Sequence, residues 1–133
     1  MRRFGFPALL LFLLALVSPA LADVGIDSLL VRRKNGAVNV RVNLFNFGPG
    51  GAKGPFHLEI LGRADANDSW QSMKVWTNIG KLAAGHKVSR DFFDPNSTVL
   101  ARLSTLPFFE VKAVLSVAGS NTPVEMISPV EDQ

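Results

Sequence analysis

The segment Ala37-Val-Asn-Val-Arg-Val-Asn-Leu44 decides the fold class of this chain. From Val38 onward, apolar residues occupy every second position and asparagine or arginine the positions between. Because successive strand side chains point to opposite faces, this alternation predicts a strand with one buried face and one wet face. Residues 25–33 are the predicted partner strand. Asn35-Gly36 lies between the two strands and favours a hairpin, since both residues tolerate positive φ.

Further segments carry strand signals, and each is bounded by glycine, proline or asparagine: residues 56–60, 70–82, 87–92, 109–115 and 124–127. The glycine- and proline-rich stretch 48–55 predicts a loop. Residues 98–106 are expected to form a helical turn or an irregular crossover, and residues 130–133 to fray. About seven short strands with one polar face each predict an all-β chain, an immunoglobulin-like antiparallel β-sandwich. Amphipathic helices do not alternate with the strands, which disfavours a doubly wound α/β fold.

The N-terminal segment, residues 1–22, has the pattern of a cleaved secretory signal peptide. Arg2 and Arg3 precede an apolar run from Phe4 to Val17, and small residues follow at Ala20 and Ala22. The run is shorter than the roughly 20 residues that cross a bilayer, so we expect cleavage rather than a stable membrane anchor. The predicted location is the periplasm or the extracellular space.

Cleavage after Ala22 would leave 111 residues, which we expect to form a single domain, 23–133. Losing Arg2 and Arg3 lowers the 14 basic residues to 12, against 11 acidic ones. The basic residues are scattered, so the sequence predicts no nucleic-acid partner. The chain has no cysteine, which excludes disulfides and indicates that the protein is not a lipoprotein.

The strand pattern resembles that of the bacterial cell-adhesion-related (CARDB-like) domains, which are immunoglobulin-like sandwiches found in exported proteins. The resemblance is carried by Val38-x-Val40-x-Val42-x-Leu44-x-Asn46-x-Gly48, Gly54-Pro55-Phe56, Leu82-x-Ala84-Gly85 and Phe109-x-Val111-x-Ala113-x-Leu115. In this arrangement Asn46 would end a strand where its side-chain amide can bond loop backbone. The segment 119–124 departs from the acidic and asparagine-rich end of many such domains, so no calcium site is carried over.

The sequence offers no catalytic constellation. His57 and His86 are the two histidines, and no serine lies in a nucleophile-elbow context, so both are interpreted as surface residues and the protein as a non-enzyme. Met73 and Met126 could join the histidines in a copper site, but their apolar contexts favour core packing. Lys53 lies in a glycine-rich stretch that lacks the Walker spacing, which favours a plain loop. We therefore expect no metal and no cofactor.

Aromatic residues give the candidate interaction surface. In the pairs 92–93 and 108–109, strict alternation places one ring outward. Exposed aromatic side chains on a sandwich mark protein or carbohydrate contacts; coverage of the Phe rings by the crossover 95–107 is the competing interpretation. The candidate residues are Trp70, Trp76, Phe93 and Phe108.

These observations predict an exported, non-catalytic binding or structural module that engages another protein or a cell-surface macromolecule. The alternative is a periplasmic carrier of a small ligand, a metal or a carbohydrate, in which Trp70 or Trp76 would stack on a sugar. The partner and the oligomeric state stay open at this level.

Overall fold

The computed structural model describes residues 22–117 and 122–133. The predicted signal peptide, apart from Ala22, and the predicted turn 119–121 lie outside the described residues. Within the described part of the chain, no helix has the length and apolarity that a membrane span requires.

Two four-stranded sheets face each other, as an immunoglobulin-like sandwich requires. The strand order is β5-β2-β1-β8 in the first sheet and β4-β3-β6-β7 in the second. The strands are β1 (Val24–Lys34), β2 (Ala37–Asn46), β3 (Phe56–Arg63), β4 (Gln71–Ile79), β5 (Lys87–Phe93), β6 (Glu110–Ser116), β7 (Val124–Pro129) and β8 (Glu131–Asp132). All pairings are antiparallel except that of β1 with β8. The predicted fold class is confirmed.

The hydrophobic core follows the predicted alternation. Inward positions of β2 are almost completely buried, and those of β3 and β6 behave in the same way. The core residues from these strands are Val38, Val40, Val42, Leu44, Phe56, Leu58, Ile60, Val111, Ala113 and Leu115. Burial of a valine or leucine side chain contributes about 1.5–3 kcal/mol, so these rows supply much of the driving force for folding.

The β1–β2 hairpin forms at the predicted position. Asn35 and Gly36 have φ values of 55° and 81°, the left-handed values that a tight two-residue hairpin turn needs. Lys34 pairs with Ala37 directly across the turn. The turn therefore fixes the register that places the valines of β2 inward.

β4 explains why residues 70–82 show no clean period. Its pairing with β3 contains two register shifts, one between Phe56 and Leu58 and the other between Ile60 and Leu61. Each shift resets which side chains point inward, so a strand forms although strict alternation fails. The predicted strand is confirmed over Gln71–Ile79.

The crossover between β5 and β6 contains a short 3-10 helix, Asp94–Asn96, and the helix α1, Thr98–Leu103. Ser97 caps α1, because its hydroxyl accepts a hydrogen bond from the Leu100 backbone N–H. Leu100 and Leu103 are fully buried against the sandwich. Of the two forms expected for residues 98–106, the helical one is observed.

The prediction that residues 130–133 fray was wrong. Glu131 and Asp132 pair with Arg32 and Arg33 of β1, and the Gln133 backbone N–H donates to the Arg33 carbonyl at 2.8 Å. Val130 packs partly buried against the core, and backbone pairing and polar contacts hold the rest of the segment to the edge of the sheet.

Arg33 supplies most of those polar contacts. Its guanidinium donates to the Asp132 carboxylate and to the backbone carbonyls of Ser104, Leu106 and Pro107. The hydrogen bond from Arg33 holds the pKa of the Asp132 carboxyl below its ordinary value. One planar side chain thus ties the C-terminal strand and the crossover to β1.

Candidate functional site

Phe93 lies on the outer face of the first sheet. It ends β5 opposite Asn39, and its side chain is 52% exposed, whereas its neighbour Phe92 faces the core at 4%. In the second pair, Phe108 is 49% exposed and Phe109 is fully buried. Each pair therefore presents one ring to solvent, as the alternation rule predicts, and the crossover does not cover the outer rings.

Trp70 lies on the second sheet instead. The Arg63 guanidinium stands 4.2 Å from its ring centroid and the Lys112 ammonium 4.9 Å. Arg63 also forms an ion pair with Glu110 at 2.8 Å. Trp70 is half-buried on these side chains, which makes cation–π contacts part of how the ring is held.

Trp76 lies where the edge strands β4 and β5 of the two sheets meet. It packs edge-on against Phe92 with ring centroids 6.0 Å apart, which joins β4 of one sheet to β5 of the other. Lys74 covers it from outside at 5.6 Å. The structure therefore does not bring the four candidate aromatics onto one face: Phe93 and Trp70 lie on different sheets, and Trp76 packs between the sheets.

A shallow depression of about 440 Å³ adjoins Phe93 at the hairpin end of the first sheet. Arg32, Lys34 and Arg41 line it together with Leu30. We call this surface the Phe93 depression. Part of its charge is balanced, because Arg41 forms an ion pair with Asp91 at 3.0 Å. Arg32 pairs along the strands with Glu131.

A second depression, of about 570 Å³, lies near the other end of β2. Its lysines come from two loops that are distant in sequence: Lys53 from one, and Lys81 and Lys87 from the other and from the start of β5. His86 lines the depression beside Lys87. The remaining lining residues are small or apolar, namely Gly51, Ala52, Leu82 and Ala83. We call this surface the lysine depression.

Backbone hydrogen bonds join the two loops of the lysine depression. The Ala52 N–H donates to the Leu82 carbonyl at 2.9 Å, and the Leu82 N–H donates back to the Ala52 carbonyl at 2.8 Å. Both side chains are buried, so they anchor the loops in the core. Gly85, at φ 73°, makes the turn that carries His86.

The Asn46 side chain also connects these loops, through hydrogen bonds to their backbone. It is fully buried, and its amide nitrogen donates to the carbonyls of Gly50 at 2.8 Å and Leu82 at 3.0 Å. Its amide oxygen accepts from the backbone N–H groups of Asp23 and Gly48, each at 3.1 Å. All four hydrogen-bonding positions of the amide are therefore used. The expectation that Asn46 bonds loop backbone at a strand end is confirmed.

The two histidines lie on different parts of the surface. His57 is exposed on β3, and His86 is exposed in the lysine depression. Within residues 22–117 and 122–133, no group of three His, Asp or Glu side chains could hold a metal ion. Met73 is buried and Met126 packs partly buried against the core, so both fill space between the sheets as expected.

The lysine depression is not predicted from the sequence. Lys53 lies in a glycine-rich stretch without the Walker spacing, and Lys81 and Lys87 belong to no recognised motif. The expected Leu82-x-Ala84-Gly85 corner is the signal that could have indicated this site. A corner that lies beside the 48–55 loop brings Lys53 close to Lys81 and Lys87, which lie on either side of the corner.

Comparisons with known proteins agree on the fold. The sequence matches no protein-family model and no curated protein. Among solved structures, the chain is similar to the crystal structure of a CARDB domain from Pyrococcus furiosus in complex with di-metal ions. The TM-score is 0.56 at 12% identity, and the match covers 84% of this chain and 93% of that one. The solution structure of the same domain gives a TM-score of 0.53 at 14% identity over 87% and 97% of the two chains.

These values define the class of protein: an immunoglobulin-like β-sandwich. Within that class, the chain has the fold of the CARDB domains, and the resemblance expected from the sequence is confirmed at the level of fold.

Proposed function

We propose that this chain is an exported, non-catalytic module that engages another protein or a component of the cell envelope. The CARDB-type fold supports an adhesion-related role, and the signal-peptide pattern of residues 1–22 supports export.

Phe93 is the observation that carries the proposal. A phenylalanine that is 52% exposed at the end of an edge strand contributes little to its own fold, yet it stands beside Arg32 and Arg41 in a concave surface. Aromatic and arginine side chains are enriched at the energetic centres of protein interfaces, whereas lysine and glutamate are depleted there. Phe93, Arg32 and Arg41 therefore supply the residue types that mark the centre of a protein contact site.

Capture of partners from an envelope extract tests the proposal. The wild-type protein is expected to retain a specific partner that Phe93→Ala loses, because truncation of a central aromatic residue costs about 2 kcal/mol or more of binding free energy. Phe47→Ala is the matched control: Phe47 is 56% exposed just beyond the far end of β2. Equal retention by all three proteins would refute the role of Phe93, and turnover that depends on His57 or His86 would refute the non-catalytic function.

A further inference from the structure

We propose that the lysine depression is a binding site for a soluble, multivalent oxyanion of the phosphate class. The proposal concerns a different surface from the Phe93 depression. Lys87 and Phe93 lie at opposite ends of β5, which puts about 20 Å of strand between them. The two surfaces can therefore be tested separately.

The lysine depression carries positive charge that no ion pair of the described residues compensates. The ion pairs in residues 22–117 and 122–133 use Arg33, Arg41, Arg63 and Lys112. None of them involves Lys53, Lys81 or Lys87, and no carboxylate-bearing side chain lines the depression. Three ammonium groups around one concave surface repel each other, and a multivalent anion relieves that repulsion.

The surface beneath these charges is apolar. Ala52 and Leu82 are each only 6% exposed, and they contribute apolar atoms to the lining. A concave surface that combines charge of one sign with low-dielectric walls focuses the field and raises the local concentration of counter-ions. Lysine is a common phosphate ligand that acts as a point charge, and His86 adds an imidazole that can donate a hydrogen bond.

The loops that carry the lysines are preorganised. The Ala52–Leu82 hydrogen bonds and the buried Asn46 amide fix the loops before any ligand arrives. The ligand therefore needs to order only the lysine side chains, which lowers the entropic cost of binding.

Calorimetric titration with pyrophosphate tests the proposal. Saturable binding by the wild-type protein is expected to weaken at least about tenfold in the double variant Lys53→Gln, Lys81→Gln, because two charge-assisted contacts are removed. These side chains are exposed, so the variant should keep the wild-type circular dichroism spectrum and melting temperature.

Lys74→Gln, Arg102→Gln is the matched control, since it removes the same charge at exposed positions outside the depression. It should bind pyrophosphate as the wild-type protein does. Equal weakening in both double variants would overturn the proposal, because net charge alone would then account for binding. Binding only to vesicles that contain phosphatidic acid, and not to pyrophosphate, would also overturn it, as would no saturable binding at all.

Discussion

The two ends of the sandwich use their cations in opposite ways. At the hairpin end, the Arg33 guanidinium bonds three backbone carbonyls and the Asp132 carboxylate, and it is 12% exposed. At the other end, Lys53, Lys81 and Lys87 are exposed and take part in none of the described ion pairs. The positive charge of Arg33 at the first end holds the fold together, whereas that of the three exposed lysines at the second end is available to a ligand.

The polar group that organises the second end is neutral. Asn46 holds the loops there together, as Arg33 holds the crossover and β8. Each side chain forms hydrogen bonds to backbone segments that are far apart in sequence. The comparison predicts that Asn46 and Arg33 matter for stability and that the exposed lysines do not.

The largest effect is expected for Asn46→Leu. This change removes all four hydrogen bonds of a fully buried amide, and the Gly50 carbonyl and the Asp23 and Gly48 N–H groups lose this partner. The free energy of unfolding should fall by roughly 3 kcal/mol. Asn43→Leu is the matched control: Asn43 is half-buried on the outer face, where its amide contacts Ser28 and Ser89. We expect that control to cost less than about 1 kcal/mol, measured by urea denaturation. Similar losses of unfolding free energy in the two variants would contradict the role of the buried Asn46 amide in stability.

Arg33→Lys should have the next largest effect. A lysine ammonium cannot reproduce the planar fork that reaches three carbonyls and a carboxylate, so we expect a loss of about 1.5 kcal/mol and faster amide exchange in β8. The neighbouring change Arg32→Lys concerns an exposed residue and should stay within about 0.5 kcal/mol. If β8 kept its protection in Arg33→Lys, the anchoring role of Arg33 would be wrong.

The smallest expected effect is the change in folding stability with pH that arises from Asp132. Because the pKa of Asp132 is lowered in the folded protein, the stability that its ionised form contributes is complete above the carboxyl's ordinary pKa. That contribution is lost as the pH falls through the lowered value. Asp132 is largely exposed, so the change in stability should be small. An NMR titration of the Asp132 carboxyl should show the lowered pKa in the wild-type protein and a value nearer the ordinary one in Arg33→Lys.

Much of the fold could be predicted from the sequence, because the decisive signals are local. The alternation of residues 38–44 and the Asn35-Gly36 turn lie within neighbouring residues, and the structure has both. The segment 130–133 was missed, because β8 is held by Arg33, whose contact with Asp132 spans 99 positions of sequence. No local pattern reports such a contact.

The two candidate sites also differ in how far local sequence predicts them. The outward position of Phe93 follows from strand alternation, so the sequence could predict its exposure. The lysine depression depends on the isolated pairing of Ala52 with Leu82, which brings together loops about 30 residues apart. Single lysines in loops carry no signal until that pairing is known.

The most direct test of the account is an amide NMR titration of the wild-type protein with pyrophosphate. We expect saturable chemical-shift changes confined to residues 51–53 and 81–87, with the hairpin end around Arg33 unchanged. Changes centred on the hairpin end, or none up to millimolar pyrophosphate, would contradict the claim that the second end presents its positive charge to a ligand.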